Sequence, residues 1–384
     1  NPWVSGVASL FTEEFYSRLA GYLNEGGVLS QWLHTYEMDA ATLASIMQAL
    51  SKTFPEYAVY TSIDSDIIVV ARKGAPAGRF DDRVLALPAL QPVLAKLKLA
   101  DPQVVQRRLV ATSAALAPLF ATYGVPANSD YYPIVDQRSS KTRFTQTRVS
   151  ELVDLQGSPI PMLEMLGAAP TPAAARADAI RITYLDAATE HAWALHDAIL
   201  TPPEKRRKEP LSEPREMGAE LVRLWAGCRS DLTFEQVLPS MLAVADTANP
   251  RLSPEVAARM WRWVAESPCG RKLEPAQARW LGMLEAIARR DSTAMVVTST
   301  AILDASNDQK GGPTEVAFLA AVTATLCRGN NAGARALLEQ GAQRWMRPGT
   351  RITELRFLEG LALAPGPARR PTDACSFSSA PATG

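Results

Sequence analysis

The hydrophobic period switches repeatedly across residues 1–73, and that alternation constrains the fold more than any other feature. In residues 9–23, SLFTEEFYSRLAGYL, Leu10, Phe15, Leu19 and Leu23 recur at roughly helical spacing. Thr12 followed by Glu13 and Glu14 suits a helix start, because acids favour the first turn. Gly26-Gly27 stops that helix, and residues 28–33, VLSQWL, read as a strand. Residues 39–54 form the next helix, with Asp39 as N-cap and Pro55 as its end. Residues 56–63 and 66–73 read as two strands joined at Asp64-Ser65. The uninterrupted run Ile67-Ile68-Val69-Val70 suits a central strand covered on both faces, as in an α/β sheet.

Three strands are few for a doubly wound sheet. A strand at 28–33 with no further neighbour has a bare edge, which proteins usually avoid. The expectation is therefore that the missing strands lie upstream. The chain also opens on Asn1, inside what reads as a loop running into a helix, and a fragment is expected.

Residues 76–150 read as a mostly helical extension, with helices over 84–100 and 102–124. Residues 125–140, VPANSDYYPIVDQRSS, read as a polar turn and then a short extended stretch. Residues 151–216 form a linker region with a helix. Pro, Gly and Ala crowd 157–175, and TPPEKRRKEPLSEPRE (201–216) is charged and proline-rich. Residues 217–363 read almost entirely as helix. Two stretches, 278–303 and 317–342, each carry an apolar helix, a short polar turn and a helix of small residues. Aligning Arg289 with Arg328 sets them roughly 39 residues apart, near the period of helix–turn–helix solenoids. Residues 218–246 read as a degenerate third unit. Residues 364–384, rich in Pro, Ala and Ser, read as a disordered tail.

Forty basic and forty acidic residues cancel, so nothing in the charge argues for nucleic acid. No apolar window is long enough to span a bilayer, so a membrane partner is expected only if a transmembrane region lies upstream. Cys228, Cys269, Cys327 and Cys375 lie far apart without a CxxC pair. They read as reduced thiols in a cytoplasmic setting. His191 and His196 sit at i, i+5, which does not suit a metal, and no metal site is expected.

Asn1-Pro2, Ser9-Leu10-Phe11-Thr12, Glu14-Phe15-Tyr16, Leu19, Leu23, Gly26-Gly27 and Gln31 fit in order a pattern SLFTxEFYxxLxxxLxxGGxLxxQ preceded by an Asn/Asp-Pro loop. Over residues 1–140 the chain resembles the spermidine-synthase (polyamine aminopropyltransferase) superfamily, in its bacterial branch often fused to a membrane transporter-like region. Residues 126–139 resemble that branch's NTDDRPxLEY segment. The resemblance implies a partial Rossmann, methyltransferase-like sheet over 1–75, the C-terminal half of the domain, followed by a TPR-like helical-repeat region.

By resemblance, the full-length protein is a transferase of polyamine biosynthesis. It binds an S-adenosyl-type nucleotide, with decarboxylated S-adenosylmethionine as co-substrate and a polyamine as acceptor. A carboxylate at the end of the preceding strand is the base in such enzymes, and it belongs upstream of Asn1, as does the glycine-rich nucleotide loop. No catalytic residue and no cofactor are therefore expected within this chain, which alone is expected to be inactive. The substrate-binding candidates are Asn1, Trp3, Gln31 and His34. Asn1 stands where the enzymes carry an amine-contacting Asp, and Gln31 matches their amine-pocket Gln. His34 lies just past the strand, at the rim where such sheets bind ligands. Trp3 and Trp32 suit an apolar wall or plain packing. Where the enzymes have a Tyr-Pro loop between the last two strands, this chain has a tight turn at 63–66. Two other readings are a non-catalytic interaction protein, whose helical repeats bind a protein partner beside a degenerate Rossmann half, and a methyltransferase-like enzyme.

Overall fold

The computed structural model describes residues 7–63, 65–74, 81–174, 183–201, 214–306, 310–364 and 375. It is a mixed α/β unit followed by helices. A 3-10 turn at Ala8–Phe11 leads into α1 (Glu13–Tyr22), whose N-cap Thr12 accepts the Phe15 N–H at 3.2 Å. Then come β1 (Val28–His34), α2 (Ala40–Thr53), β2 (Tyr57–Ile63) and β3 (Asp66–Arg72). Asp39 caps α2, taking the Thr42 N–H at 2.8 Å. Gly26, at φ +73, turns the chain from α1 into β1, and its N–H donates to the Lys73 carbonyl beyond β3 at 2.9 Å.

The sheet has four strands in the order β1-β3-β2-β4, every neighbouring pair antiparallel. The fourth, β4 (Leu109–Thr112), lies inside a stretch whose apolar content reads as helix. A four-residue strand carries too few positions to show a period of two, and only pairing with β2 selects it. Since β1 and β2 both run antiparallel to β3, they are parallel to each other, with α2 as the connection between them.

The register separates two faces. Leu33, Ile67, Val69, Ala71, Tyr57 and Val59 share one face, each at most 4% exposed, in one core with Ile46, Met47 and Leu50 of α2. Trp32, Ile68, Val70 and Tyr60 share the other. There Ile68, Val70 and Tyr60 are only half-buried, and Trp32 and Val28 are 44% and 56% exposed. The expectation that the run 67–70 is covered on both faces is thus corrected: only alternate residues are buried among the described elements. β1 forms the end of the sheet, and no described strand pairs with its outer edge.

Beyond β3, α3 (Gln91–Leu97) and α4 (Pro102–Gln106) precede β4, and α5 (Ser113–Ala121) follows it directly. The latter part of 125–140, expected to be extended, begins α6 (Ile134–Phe144) instead. Pro133 precedes its first turn, and Asp136 favours that position, a helix start masked by the polar composition.

The proline- and glycine-rich stretch read as a linker contains α8 (Met162–Gly167), preceded by α7 (Glu151–Gln156). Every residue of α8 is buried, Met162 and Met165 completely. Helices α9 (Tyr184–Leu200), α10 (Pro214–Ala226), α11 (Phe234–Ala248) and α12 (Pro254–Ala265) follow. The two similar stretches form hairpins: α13 (Pro275–Arg289) with α14 (Ser292–Ala305), and α15 (Pro313–Cys327) with α16 (Asn331–Trp345). The last helix, α17 (Ile352–Leu363), returns to pack on α5. Gly360 makes that approach possible, since a Cβ there would lie 2.6 Å from the Pro118 carbonyl oxygen.

The cysteine reading is overturned. Cys228 is joined to Cys269 and Cys327 to Cys375, with Cα–Cα distances of 5.3 and 5.6 Å. Helix packing brings together residues 41 and 48 apart in sequence, and spacing alone does not reveal this. Residues 202–213 and, apart from Ala364 and Cys375, the tail 364–384 lie outside the described residues. No described helix is long and apolar enough to cross a membrane.

Candidate functional site

Of the four residues singled out from sequence, Asn1 and Trp3 lie outside the described residues. Gln31 and His34 both belong to β1, but three positions apart on a strand means opposite faces. Gln31 points to α1, where its Oε1 accepts the Tyr16 hydroxyl at 2.7 Å and its Nε2 donates to the Leu10 carbonyl at 3.2 Å. Both ends of the amide are thereby engaged in fastening the 3-10 turn and α1 to the strand. Burial raises the Tyr16 phenol well above its ordinary range, and the hydrogen bond to Gln31 only partly opposes this, so Tyr16 remains a neutral donor.

His34 is completely buried and stacks between Trp32 and Tyr36, with ring centroids at 5.8 and 4.5 Å. The segment after α6 closes over this end of the strand. The Val149 N–H donates to the Thr35 carbonyl at 2.8 Å, the Met38 N–H to the Thr147 carbonyl at 3.0 Å, and Tyr36 bridges to Arg148. Burial pushes the His34 pKa down to about 4, so the ring is neutral at pH 7. It does not lie open at the rim.

Sequence reasoning passed over the residue that organises this end of the molecule. Asn128, 0% exposed, donates from Nδ2 to the Phe11 carbonyl at 3.0 Å, and its Oδ1 accepts the Val135 N–H at 3.1 Å. Its backbone N–H donates to the Ser45 carbonyl at 3.1 Å, and its carbonyl accepts the Glu13 N–H at 2.9 Å. One residue thus ties α1, α2 and α6 together. Beside it, Glu14 accepts the Ser129 hydroxyl at 2.7 Å and the Asp130 N–H at 3.0 Å. Residues 126–139 are therefore docked on the start of α1, with Tyr131 and Tyr132 left 83% and 70% exposed.

A second place combines concavity with polar groups. A cavity of about 230 Å³ opens between β4, α7, α8 and α9, at the seam of the sheet unit and the helices. Arg107, Glu164, Trp193 and Arg251 stand in its wall. Glu164 belongs to the buried α8, and its Oε2 accepts Nε and Nη2 of Arg290 at 2.9 and 2.6 Å. Arg290 itself is wholly buried at the α13–α14 turn and also donates to the Asn249 carbonyl at 2.9 Å. Arg290 was legible only as part of a polar turn, and nothing in the sequence marked Arg107, Glu164, Trp193 or Arg251, which come from separate elements and share no motif.

Compared with protein-family models, with curated proteins and with solved structures, the chain matches none.

Proposed function

We propose that residues 1–140 are the back end of a spermidine-synthase-like nucleotide-binding sheet. In the full-length protein this sheet would bind decarboxylated S-adenosylmethionine and transfer its aminopropyl group to a polyamine, with residues 217–363 a TPR-like region for a protein partner. The observation that carries this reading is the unfinished edge of β1. Among the described residues the strand pairs on one side only; it leaves Val28 and Trp32 exposed and lies parallel to β2 across one inserted antiparallel strand. A bare edge beside a half-covered apolar face is what an interior strand looks like without its neighbours. The docking of residues 126–139 on α1 through Asn128 and Glu14 also supports the resemblance, since both segments belong to it.

Two features favour the second reading, a non-catalytic interaction protein. Gln31 spends both ends of its amide on Tyr16 and Leu10, and His34 is enclosed. Neither is free to receive an amine in this arrangement. The setting we propose is an oxidising compartment, or a membrane-tethered domain facing one, because all four cysteines are paired and such pairs persist where thiols are not kept reduced. Incubating the full-length protein with putrescine and decarboxylated S-adenosylmethionine tests the transferase reading. Formation of a thioether nucleoside is expected from the full-length protein and not from residues 1–384 alone. Its absence from the full-length protein ends the aminopropyl claim and leaves the interaction reading.

A further inference from the structure

The cancelled net charge of the chain hides a local segregation in the connection from β3 to β4. From Arg83 to Ala100 there is no acid, and most positions are leucine, valine or alanine. A 3-10 turn at Asp82–Ala86 leads towards α3. The N–H groups of Leu87, Leu90 and Leu94 donate to the carbonyls of Val84, Leu87 and Leu90 at 3.3, 2.9 and 2.9 Å. Leu90, Val93 and Leu97 therefore share one side of α3, and Val84 and Leu87 continue the same three-residue spacing before it. All five are between 38% and 54% exposed. Helix α3 buries none of its residues, and of the preceding turn only Leu85 is buried. An aliphatic stripe left open along a whole element marks a surface that meets something apolar. The charges beside it are basic. Asp81 answers Arg83 at 2.7 Å, but Lys96 and Lys98 are exposed and form no ion pair among the described residues.

We propose that residues 84–98 dock on the surface of an anionic lipid bilayer. The stripe of Val84, Leu87, Leu90, Val93 and Leu97 enters the boundary between headgroups and acyl chains, and Lys96 and Lys98 meet the lipid phosphates. A helix of seven residues is far too short to cross a bilayer, so α3 lies in its plane. The composition selects lipid over a protein groove. Aromatic and arginine side chains dominate the anchors of protein interfaces, where leucine and valine are under-represented. This stripe is wholly aliphatic, and its free charges are lysines with no acid between them. Aliphatic side chains flanked by unopposed cations complement acyl chains beneath anionic headgroups. The inference is independent of the transferase reading, because it uses no residue of the sheet's outer edge.

Flotation of residues 1–384 with unilamellar vesicles tests this directly. One vesicle set is pure phosphatidylcholine, and the other holds equal parts of phosphatidylcholine and phosphatidylglycerol. The chain is expected to float with the anionic vesicles, at least about tenfold more strongly than with the neutral ones. Lys96→Gln with Lys98→Gln is expected to remove most of that preference. Val93→Asp with Leu97→Asp is expected to lower partition into the anionic vesicles by at least about tenfold, since it sets two charges where the acyl boundary begins. Both double variants change only exposed positions, and unchanged circular dichroism and urea midpoints confirm that they fold. Hydrogen exchange keeps the test tied to this segment: amides of 87–97 are expected to slow on addition of anionic vesicles, and those of α13 are not. No flotation at about 1 mM anionic lipid, or flotation indifferent to Val93→Asp with Leu97→Asp, would overturn the proposal. So would a concentration-dependent dimer that this variant abolishes without any flotation, which would give the stripe to a second copy of the chain.

Discussion

At the scale of single residues, two buried polar groups set the stability of the sheet's closed end. Asn128→Ala removes donors and acceptors from Phe11 and Val135 in a fully buried place. The orphaned backbone groups should cost about 1–3 kcal/mol, read as a lower midpoint in urea denaturation. His34 behaves differently. Its folded pKa, about 4, lies below the ordinary value of roughly 6.5, so the unfolded chain takes up the proton first as pH falls. The stability from the neutral ring is complete above about pH 6.5 and is lost progressively towards pH 4. Denaturation midpoints measured across that window should fall for the native chain and stay flatter for His34→Leu. Sequence alone set His34 just past the strand, whereas it is the last residue of β1 and is enclosed. Local pattern could not show the segment 147–149 folding over it, because that contact joins residues more than a hundred positions apart.

Among the secondary-structure elements, what was legible depended on length and period. The helices α1 and α2 and the strands β1, β2 and β3 were all readable, each being long enough for its apolar spacing to repeat and bounded by a cap, a glycine pair or a proline. The hairpins α13–α14 and α15–α16 were readable from the polar turns near Arg290 and Gly329. The misses share a cause. β4 has four residues, α8 has six, and α6 starts in a polar segment, so local pattern is weak and tertiary packing decides. The α5–α17 contact is one such long-range choice. Gly360→Ala drives a methyl group towards the Pro118 carbonyl at a buried crossing. The expected loss is about 1–3 kcal/mol, since a tightly packed helix pair must separate to admit it. Thermal unfolding of the variant checks this, and an unchanged melting temperature would mean that the two helices do not pack so closely.

On the scale of the whole molecule, the candidate site was only half legible. Residue types in order pointed to the sheet's outer strand, but a strand's alternation sends Gln31 and His34 to opposite faces, and the seam cavity draws on elements with no common motif. The cysteine pairs likewise emerge only from packing. Each closes a long loop, worth up to about 4 kcal/mol on chain-entropy grounds. Native protein should therefore show no free thiol, and reductant should lower the urea midpoint substantially. Free thiols in protein purified without reductant would contradict both the pairing and the oxidising compartment.

The central claim is that β1 is an interior strand of a larger sheet, and amide hydrogen exchange reads that most directly. In residues 1–384 alone, the outward-facing amides of β1 should exchange quickly, whereas in the full-length protein the same peptide should be protected by orders of magnitude. Equal exchange of residues 28–34 in the two proteins would contradict the account.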